Sequence, residues 1–373
     1  MKRRTFLFSS CAACTAFCMG IINPERLSAD STEEGYAPGH PATFFDYLPD
    51  GKVQCRLCPR SCVLGKNQSG ICRVRYNIDG ELVTYAYNNP CAVNIDPVEK
   101  KPLFHVLPGS KSFSISTAGC NFRCKYCQNW QLSQTSPFKT SNYKLTASDI
   151  VKAAKRNKCE TIAYTYGEPV IFYEYMLEIA SLAKDEGIKN VMHSNGFIQQ
   201  KPLRFLSRYL SAVNIDLKGM NDSFHARMTS GKAKPVLDSL LLLKEEGVHI
   251  EITRLLIPDE NDSTNELNAT FGWIYTNLGK TTPLHISRFF PMYQLTRKSP
   301  TPISTLKKAR DLALNSGLKY VYVGNYKQDD WENTYCHNCG KLLIKRNMYV
   351  IEANKMQDGN CPYCNTSIPG VWS

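Results

Sequence analysis

Cys120, Cys124 and Cys127 fall within eight residues, in the run Cys120-Asn-Phe-Arg-Cys124-Lys-Tyr-Cys127. The run follows Phe113-Ser-Ile-Ser-Thr, a short β-type segment, and Ala118-Gly119. Three thiolates so close together, just past a strand end, can hold three irons of a cubane cluster. Ordinary four-iron clusters take four cysteines, so three leave one iron open. An open metal position can take a substrate or cofactor, as the open position of a catalytic zinc does. The spacing also admits a zinc site, or an electron-transfer cluster completed by a remote cysteine such as Cys91 or Cys159.

Two further cysteine sets flank this one. Cys55, Cys58, Cys62 and Cys72 form a knot in the N-terminal part, whose spacing suits zinc or a second iron–sulfur cluster. Cys336, Cys339, Cys361 and Cys364 make two C-x-x-C knuckles with strand-like residues 342–345 and 349–351 between them. That pattern is a zinc-ribbon signature, and such ribbons fold only with their metal. In a chain of 373 residues with 16 cysteines, these short spacings read as metal ligands rather than a disulfide framework.

The elements that position the central cysteines alternate in type. Apolar strand-like runs at 113–116, 161–164, 190–193, 212–216, 249–256, 284–290 and 320–323 enclose helical runs at 148–156, 171–186, 201–210, 236–246, 265–278 and 305–315. Ser148 is the expected cap of the first helix, and Gly187 and Gly247 stand where helices end. Such alternation implies a parallel α/β sheet. Around the Asp79-Gly80 turn, short strand runs predict a hairpin.

The central motif, with Tyr126 before its last cysteine, resembles the radical S-adenosylmethionine (radical SAM) superfamily. In that family the open iron chelates SAM, and an electron from the cluster releases a 5′-deoxyadenosyl radical. The N-terminal knot, Asp96-Pro-Val-Glu-Lys-Lys-Pro-Leu-Phe-His105 and Gln128-Asn129-Trp130 narrow the resemblance. They are similar to the radical SAM enzyme of the AmmeMemoRadiSam gene system, a relative of pyruvate formate-lyase-activating enzymes, over nearly the whole chain from Phe44. The resemblance implies a partial (β/α)6 barrel with the site at the carboxyl ends of its strands, a 4Fe–4S cluster, SAM and a low-potential electron donor. It implies a glycine in a partner protein as substrate.

It also assigns SAM-binding residues at the strand ends. Thr165-Tyr166-Gly167-Glu168-Pro169 resembles a GGEP motif, in which Gly167, Glu168 and Pro169 meet the SAM amino group. His193-Ser194-Asn195-Gly196-Phe197 resembles D-T-N-G-F, giving Ser194 and Asn195. Asn214-Ile215-Asp216-Leu217-Lys218 contains D-L-K, giving Asp216 and Lys218. His193 and Asn214 depart from the pattern that holds a cation beside the SAM carboxylate. Arg254 matches an arginine near SAM, where its fork could grip a carboxylate. On the next strand, His285 and Ser287 share one face, with Arg288 on the other; His285 reads as a core histidine with a partner.

Composition bounds the partners. Hydrophobic content of 43% and charged content of 21% suit a globular protein. The formal net charge of +12 counts every cysteine as neutral. Two four-thiolate zinc sites and one three-thiolate cluster bring it to about +7, and loss of residues 1–29 to about +4. An excess that mild does not argue for nucleic-acid binding, which the alternative of a radical SAM modifier of RNA would need. A non-catalytic iron–sulfur sensor would need a fourth cluster ligand.

Residues 1–29 read as a signal, with Lys2-Arg3-Arg4-Thr5-Phe6-Leu7 matching the twin-arginine pattern and Leu27-Ser28-Ala29 a cleavage site. The run Phe8 to Ile22 is short and polar for a stable membrane span, leaving none in the mature chain. Export to the periplasm is the expectation, with the cytoplasm, where SAM and reductants reside, as the alternative. The expected order is signal 1–29, linker 30–50, Cys-rich segment 51–104, radical SAM core 105–330 and zinc-ribbon-like module 331–373.

Overall fold

The computed structural model describes residues 33–327 and 330–373; the expected signal at 1–29, with Cys11, Cys14 and Cys18, lies outside them. Seven parallel strands form the core of one sheet: Lys111–Ser116, Thr161–Tyr164, Lys189–Ser194, Ala212–Asp216, His249–Leu256, Leu284–Arg288 and Val321–Gly324, each hydrogen-bonded to the next. They are the seven apolar runs of the sequence, in order. Thr161–Tyr164 is buried throughout, as parallel strands covered on both faces are. Ala92–Pro97 adds an eighth strand, antiparallel to Lys111–Ser116, at the sheet edge. The sequence reading did not anticipate it, because the run Ala92-Val-Asn-Ile-Asp-Pro is neither strongly apolar nor cleanly alternating.

Helices cross between the parallel strands: Ala147–Arg156, Tyr173–Asp185, Gln200–Ser207, Ala233–Glu245, Thr264–Asn277 and Ile303–Asn315. The result is an α/β fold whose parallel sheet forms a partial barrel. A further short helix, Asp222–Met228, precedes the fourth crossover. The first helix is capped by Thr146 rather than Ser148: Thr146 accepts from the Asp149 amide while Asp149 reaches back to the Thr146 amide. That reciprocal box satisfies two helix-end donors and outcompetes a lone serine.

The N-terminal part is two small antiparallel sheets, one containing the expected hairpin Arg75–Ile78 and Glu81–Thr84. It is tied to the core by a buried ion pair, Arg75 Nη2 to Glu174 Oε1 at 3.0 Å, and Glu174 also accepts from the Thr43 amide at 2.7 Å. Strands Thr334–Tyr335, Leu342–Asn347 and Val350–Asn354 form a C-terminal antiparallel sheet. It docks through buried Arg346, which donates to the Phe104 carbonyl at 2.6 Å and lies over the Phe104 ring. Among the described residues no helix is long and apolar enough to cross a membrane.

Candidate active site

A cavity of about 500 Å³ opens at the carboxyl ends of the parallel strands. Its size suits a cofactor-scale ligand. Cys120, Cys124 and Cys127 line it on one side, on the loop after the first parallel strand. Cys120 and Cys124 are buried, and burial pushes the Cys124 thiol up to about 12. Thiols in that setting do not ionise alone; a metal centre supplies the positive charge that holds them as thiolates. Among the described residues no fourth cysteine lines the cavity, and Cys91 and Cys159 stand elsewhere. The donor set therefore fits a cluster with one open iron and lacks the fourth ligand of a closed one.

Glycine is required at two places around this loop. A Cβ on Gly119 would lie 2.4 Å from the Cys72 carbonyl oxygen, and one on Gly167 would lie 2.7 Å from Ser116 Oγ. The cysteine loop is thus pressed against the N-terminal part on one side, and the 165–168 loop against the first strand on the other.

The strand-end residues converge on the cavity. Glu168 is buried, and its carboxylate accepts from Ser194 Oγ at 2.6 Å, the Asn195 amide at 2.8 Å and the Val170 amide at 3.1 Å. Burial raises its pKa, and these donors oppose the shift. A carboxylate has about four lone-pair sites, so one remains for an ammonium in the cavity. Asn195 Nδ2 donates to Asn121 Oδ1 at 2.8 Å and lies 4.0 Å from Cys120 Sγ, joining the third strand end to the cysteine loop. Burial pushes the Asp216 carboxyl up, but Lys218 at 2.8 Å and His193 at 3.1 Å hold it well below the usual carboxylate range. Lys218 lies 5.9 Å from the Tyr126 ring, and Tyr126 also lines the cavity. The positive charge beside Asp216 is thus a lysine of this chain.

Two expected positions, Pro169 and Arg254, fall differently, and Asn214, which departs from the cation pattern, also stands outside the lining. Pro169 starts a buried one-turn 3₁₀ segment and does not line the cavity. Asn214 is buried and donates to the Pro102 carbonyl at 2.6 Å, fixing the loop after the edge strand. Arg254 also stands outside the lining. Its guanidinium is fully buried and committed to Glu266 Oε1 at 3.1 Å and to the carbonyls of Leu217 and Asn261, a brace between strand and helix. The spacing placed it at a strand end, but the side chain points away from the cavity into the strand–helix layer.

The tertiary structure adds residues that strand-end reasoning missed. Asp96 takes Lys100 at 2.7 Å, Lys101 at 2.7 Å and the Tyr166 hydroxyl, tying the Asp96-Pro-Val-Glu-Lys-Lys run to the 165–168 loop. Lys100, Glu99 and Tyr166 line the cavity. The length of that polar block was the signal that could have found them. Ser133 Oγ lies 3.1 Å from Cys127 Sγ, and Asn129 donates to the Tyr166 carbonyl. Deeper in, His285 and Ser287 line the cavity from their shared strand face. His285 Nε2 is 2.6 Å from Glu251 Oε2, the partner expected of a core histidine. Arg288 on the other face donates to the Thr301 carbonyl.

The C-terminal set is built differently. The four sulfurs of Cys336, Cys339, Cys361 and Cys364 all lie within 4.8 Å of one another, with pairs at 3.6 and 3.7 Å. Thiolates tetrahedral about one zinc, at ~2.3 Å from it, stand roughly 3.8 Å apart. His337 is outside the set and pairs with the Tyr320 hydroxyl at 2.8 Å. Glu332, Met348 and Tyr349 from this region close the outer end of the cavity.

The comparisons with known proteins agree with this geometry. The profile of the radical SAM superfamily matches residues 114–270, from the first parallel strand into the helix after the fifth. An uncharacterized protein of Methanocaldococcus jannaschii is 42% identical over 331 residues, covering 88% of this chain and 98% of that one. The pyruvate formate-lyase-activating enzyme of Streptococcus mutans is 26% identical over 174 residues, 43% of this chain and 64% of that enzyme. A putative glycyl-radical enzyme activating enzyme of M. jannaschii is 29% identical over 156 residues, 40% of this chain and 58% of that one. A radical SAM methyltransferase from Sphaerobacter thermophilus superposes with a TM-score of 0.48 at 15% identity, over 82% of this chain and 81% of that one. This chain belongs to the radical SAM superfamily of enzymes.

Proposed function

We propose that Cys120, Cys124 and Cys127 hold a 4Fe–4S cluster whose open iron binds SAM, and that the enzyme abstracts a hydrogen atom from a protein substrate. The observation that carries this reading is a three-cysteine loop facing a cavity of about 500 Å³ with charged strand-end residues opposite and no fourth cysteine among its described lining. When bound, cluster and SAM supply one-electron cleavage of the sulfonium to a 5′-deoxyadenosyl radical. This chain's residues bind, orient and exclude water. Glu168 receives the SAM amino group, while Ser194 and the Asn195 amide fix its carboxylate. Lys218, held by Asp216, presents a positive charge to a ligand carboxylate, and Lys100 adds another at the rim. Asn195 braces the cysteine loop. His285, Ser287 and the 348–349 turn bound the space left for substrate.

The protein substrate rests on the relatives named as activating enzymes. Zinc at Cys336, Cys339, Cys361 and Cys364 is supported by the sulfur spacing, and the module then acts as a structural clamp on one wall of the cavity. The twin-arginine-like segment supports export to the periplasm as a folded, loaded protein; fractionation of cells expressing the full chain tests that.

The deciding assay is anaerobic. The protein is reconstituted with iron and sulfide, reduced with dithionite and given SAM, and 5′-deoxyadenosine is measured. Wild type is expected to produce it and Cys124→Ala to produce none. A fully loaded, reduced wild type that makes no deoxyadenosine would overturn the reading.

A further inference from the structure

Cys55, Cys58, Cys62 and Cys72 are not used by the site above, yet the fold gathers them. They line one small cavity of about 20 Å³ together with Arg60, Arg75 and Asn121. Gly70 sits between two of the sulfurs: a Cβ there would lie 3.5 Å from Cys72 Sγ and 3.8 Å from Cys62 Sγ. Four thiols from one strand end and two loops around one space form a ligand set.

Two observations say what it holds. Arg75 lines this cavity at 2% exposure, and while its Nη2 serves Thr43 and Glu174, its Nε and Nη1 have no partner. Buried donors left unpaired are costly, and an anionic guest with acceptor atoms satisfies them. The second observation is spacing. The C-terminal sulfurs are drawn to within 4.8 Å of one another, as around a single ion. Among the described residues, neither the central set nor the N-terminal set is drawn that tight. A cubane interposes four irons between its thiolates, so its ligands stand farther apart than those of one zinc. By this measure the N-terminal cysteines group with the central loop and not with the C-terminal knuckles.

We infer that Cys55, Cys58, Cys62 and Cys72 hold a second iron–sulfur cluster, closed by four ligands, that passes electrons to the central one. Asn121 belongs to both sites. It lines the N-terminal cavity, accepts from Arg60 Nε through its carbonyl at 3.0 Å, and its Oδ1 lies 4.0 Å from Cys120 Sγ. The Cys72 carbonyl packs against Gly119. One electron from a low-potential one-electron donor reduces the N-terminal cluster. Its transfer inward reoxidises that cluster and reduces the central one, with no bond made or broken. The relay rests on the proposed central cluster; the second cluster itself does not.

The test is metal analysis and electron paramagnetic resonance on full-length protein reconstituted with iron and sulfide. Wild type is compared with a Cys120/Cys124/Cys127→Ala triple variant. The inference expects about eight irons and eight sulfides in wild type and about four of each in the triple variant. On dithionite reduction the triple variant gives an unperturbed cluster signal, and wild type gives one broadened by a neighbouring spin. A triple variant without iron, with about two zinc ions per chain, overturns the second cluster. Two non-interacting signals in wild type overturn the relay. If wild type makes no deoxyadenosine, the proposed activity fails, but the iron count of the triple variant still decides the second cluster. Should the triple variant not fold, iron and zinc per wild-type chain decide between about eight irons with one zinc and about four irons with two.

Discussion

The central cysteine loop and the C-terminal knuckles use the same ligand atom in opposite settings. At the knuckles the sulfurs touch, Cys339 is exposed, and the sheet around them shares a hydrophobic cluster with the barrel, in which Leu343 and Ile368 join Phe104, Tyr320 and Tyr322. In the central loop Cys120 and Cys124 are buried, the three cysteines line one side of a cavity, and charged residues line it from other strands. On the proposed reading, the set that satisfies itself would bind a metal for stability. The set that leaves room, and is met by side chains with spare lone pairs, would bind a metal for chemistry.

The largest break in this comparison is Cys124→Ala. It should abolish deoxyadenosine formation while shifting the melting temperature little, because the loop is held by Gly119, Asn121 and Asn195 as well. An equally destabilised variant would blur the distinction. Arg254→Ala should do the reverse to the fold. Removing one partner of the buried Arg254–Glu266 pair costs roughly 3–5 kcal/mol, read as a large drop in melting temperature, and the KM for SAM of the surviving protein should stay unchanged. A strong rise in that KM at undiminished stability would return Arg254 to the SAM site.

Cys361→Ala, or zinc chelation, should detach the C-terminal module. The expected loss is about 3 kcal/mol, or roughly 4 °C for a chain of this size, with central iron retained. Loss of iron alongside zinc would mean that the two sets are not independent. Glu168→Gln keeps the shape and most hydrogen bonds but removes the charge. We expect about a tenfold rise in the KM for SAM, checked by titrating SAM in the deoxyadenosine assay.

The smallest effect should be acid loosening at the junction of barrel and module. His105 is buried between the Pro369 carbonyl at 2.7 Å and the Tyr322 hydroxyl at 2.8 Å, beside Glu251 and His249. Burial lowers its pKa to about 3, so the folded state keeps it neutral. The stability this represents is complete above about pH 6.5, where the unfolded chain is neutral too, and is lost as pH falls from there toward 3. The melting temperature should decline between pH 6.5 and 5, before most carboxylates titrate, and His105→Gln should flatten that slope. An unchanged slope would place the loosening elsewhere.

Much of the framework could be read from residues alone. Apolar runs of four to eight residues separated by helical periods specify buried parallel strands, because that pattern buries well in few other ways. The cysteine spacings marked the three sets that the fold gathers, although only the C-x2-C and C-x3-C neighbours are held close by sequence alone. The strand-end motifs brought Glu168, Ser194, Asn195, Asp216 and Lys218 to one cavity, because parallel strands carry their carboxyl ends to the same side.

The tertiary structure decided what depends on direction and distance. Arg254 and Asp216 are both near strand ends, yet one side chain braces a helix and the other faces the cavity; side-chain alternation along a strand is legible, but which face is the lumen is not until the sheet curls. Asp96 became part of the site when an unanticipated edge strand carried it to Tyr166. The spacing of sulfurs, which separates a single-ion set from a wider one, arises between loops that meet only in the folded chain, so sequence supplied the ligands and the fold set how far apart they stand.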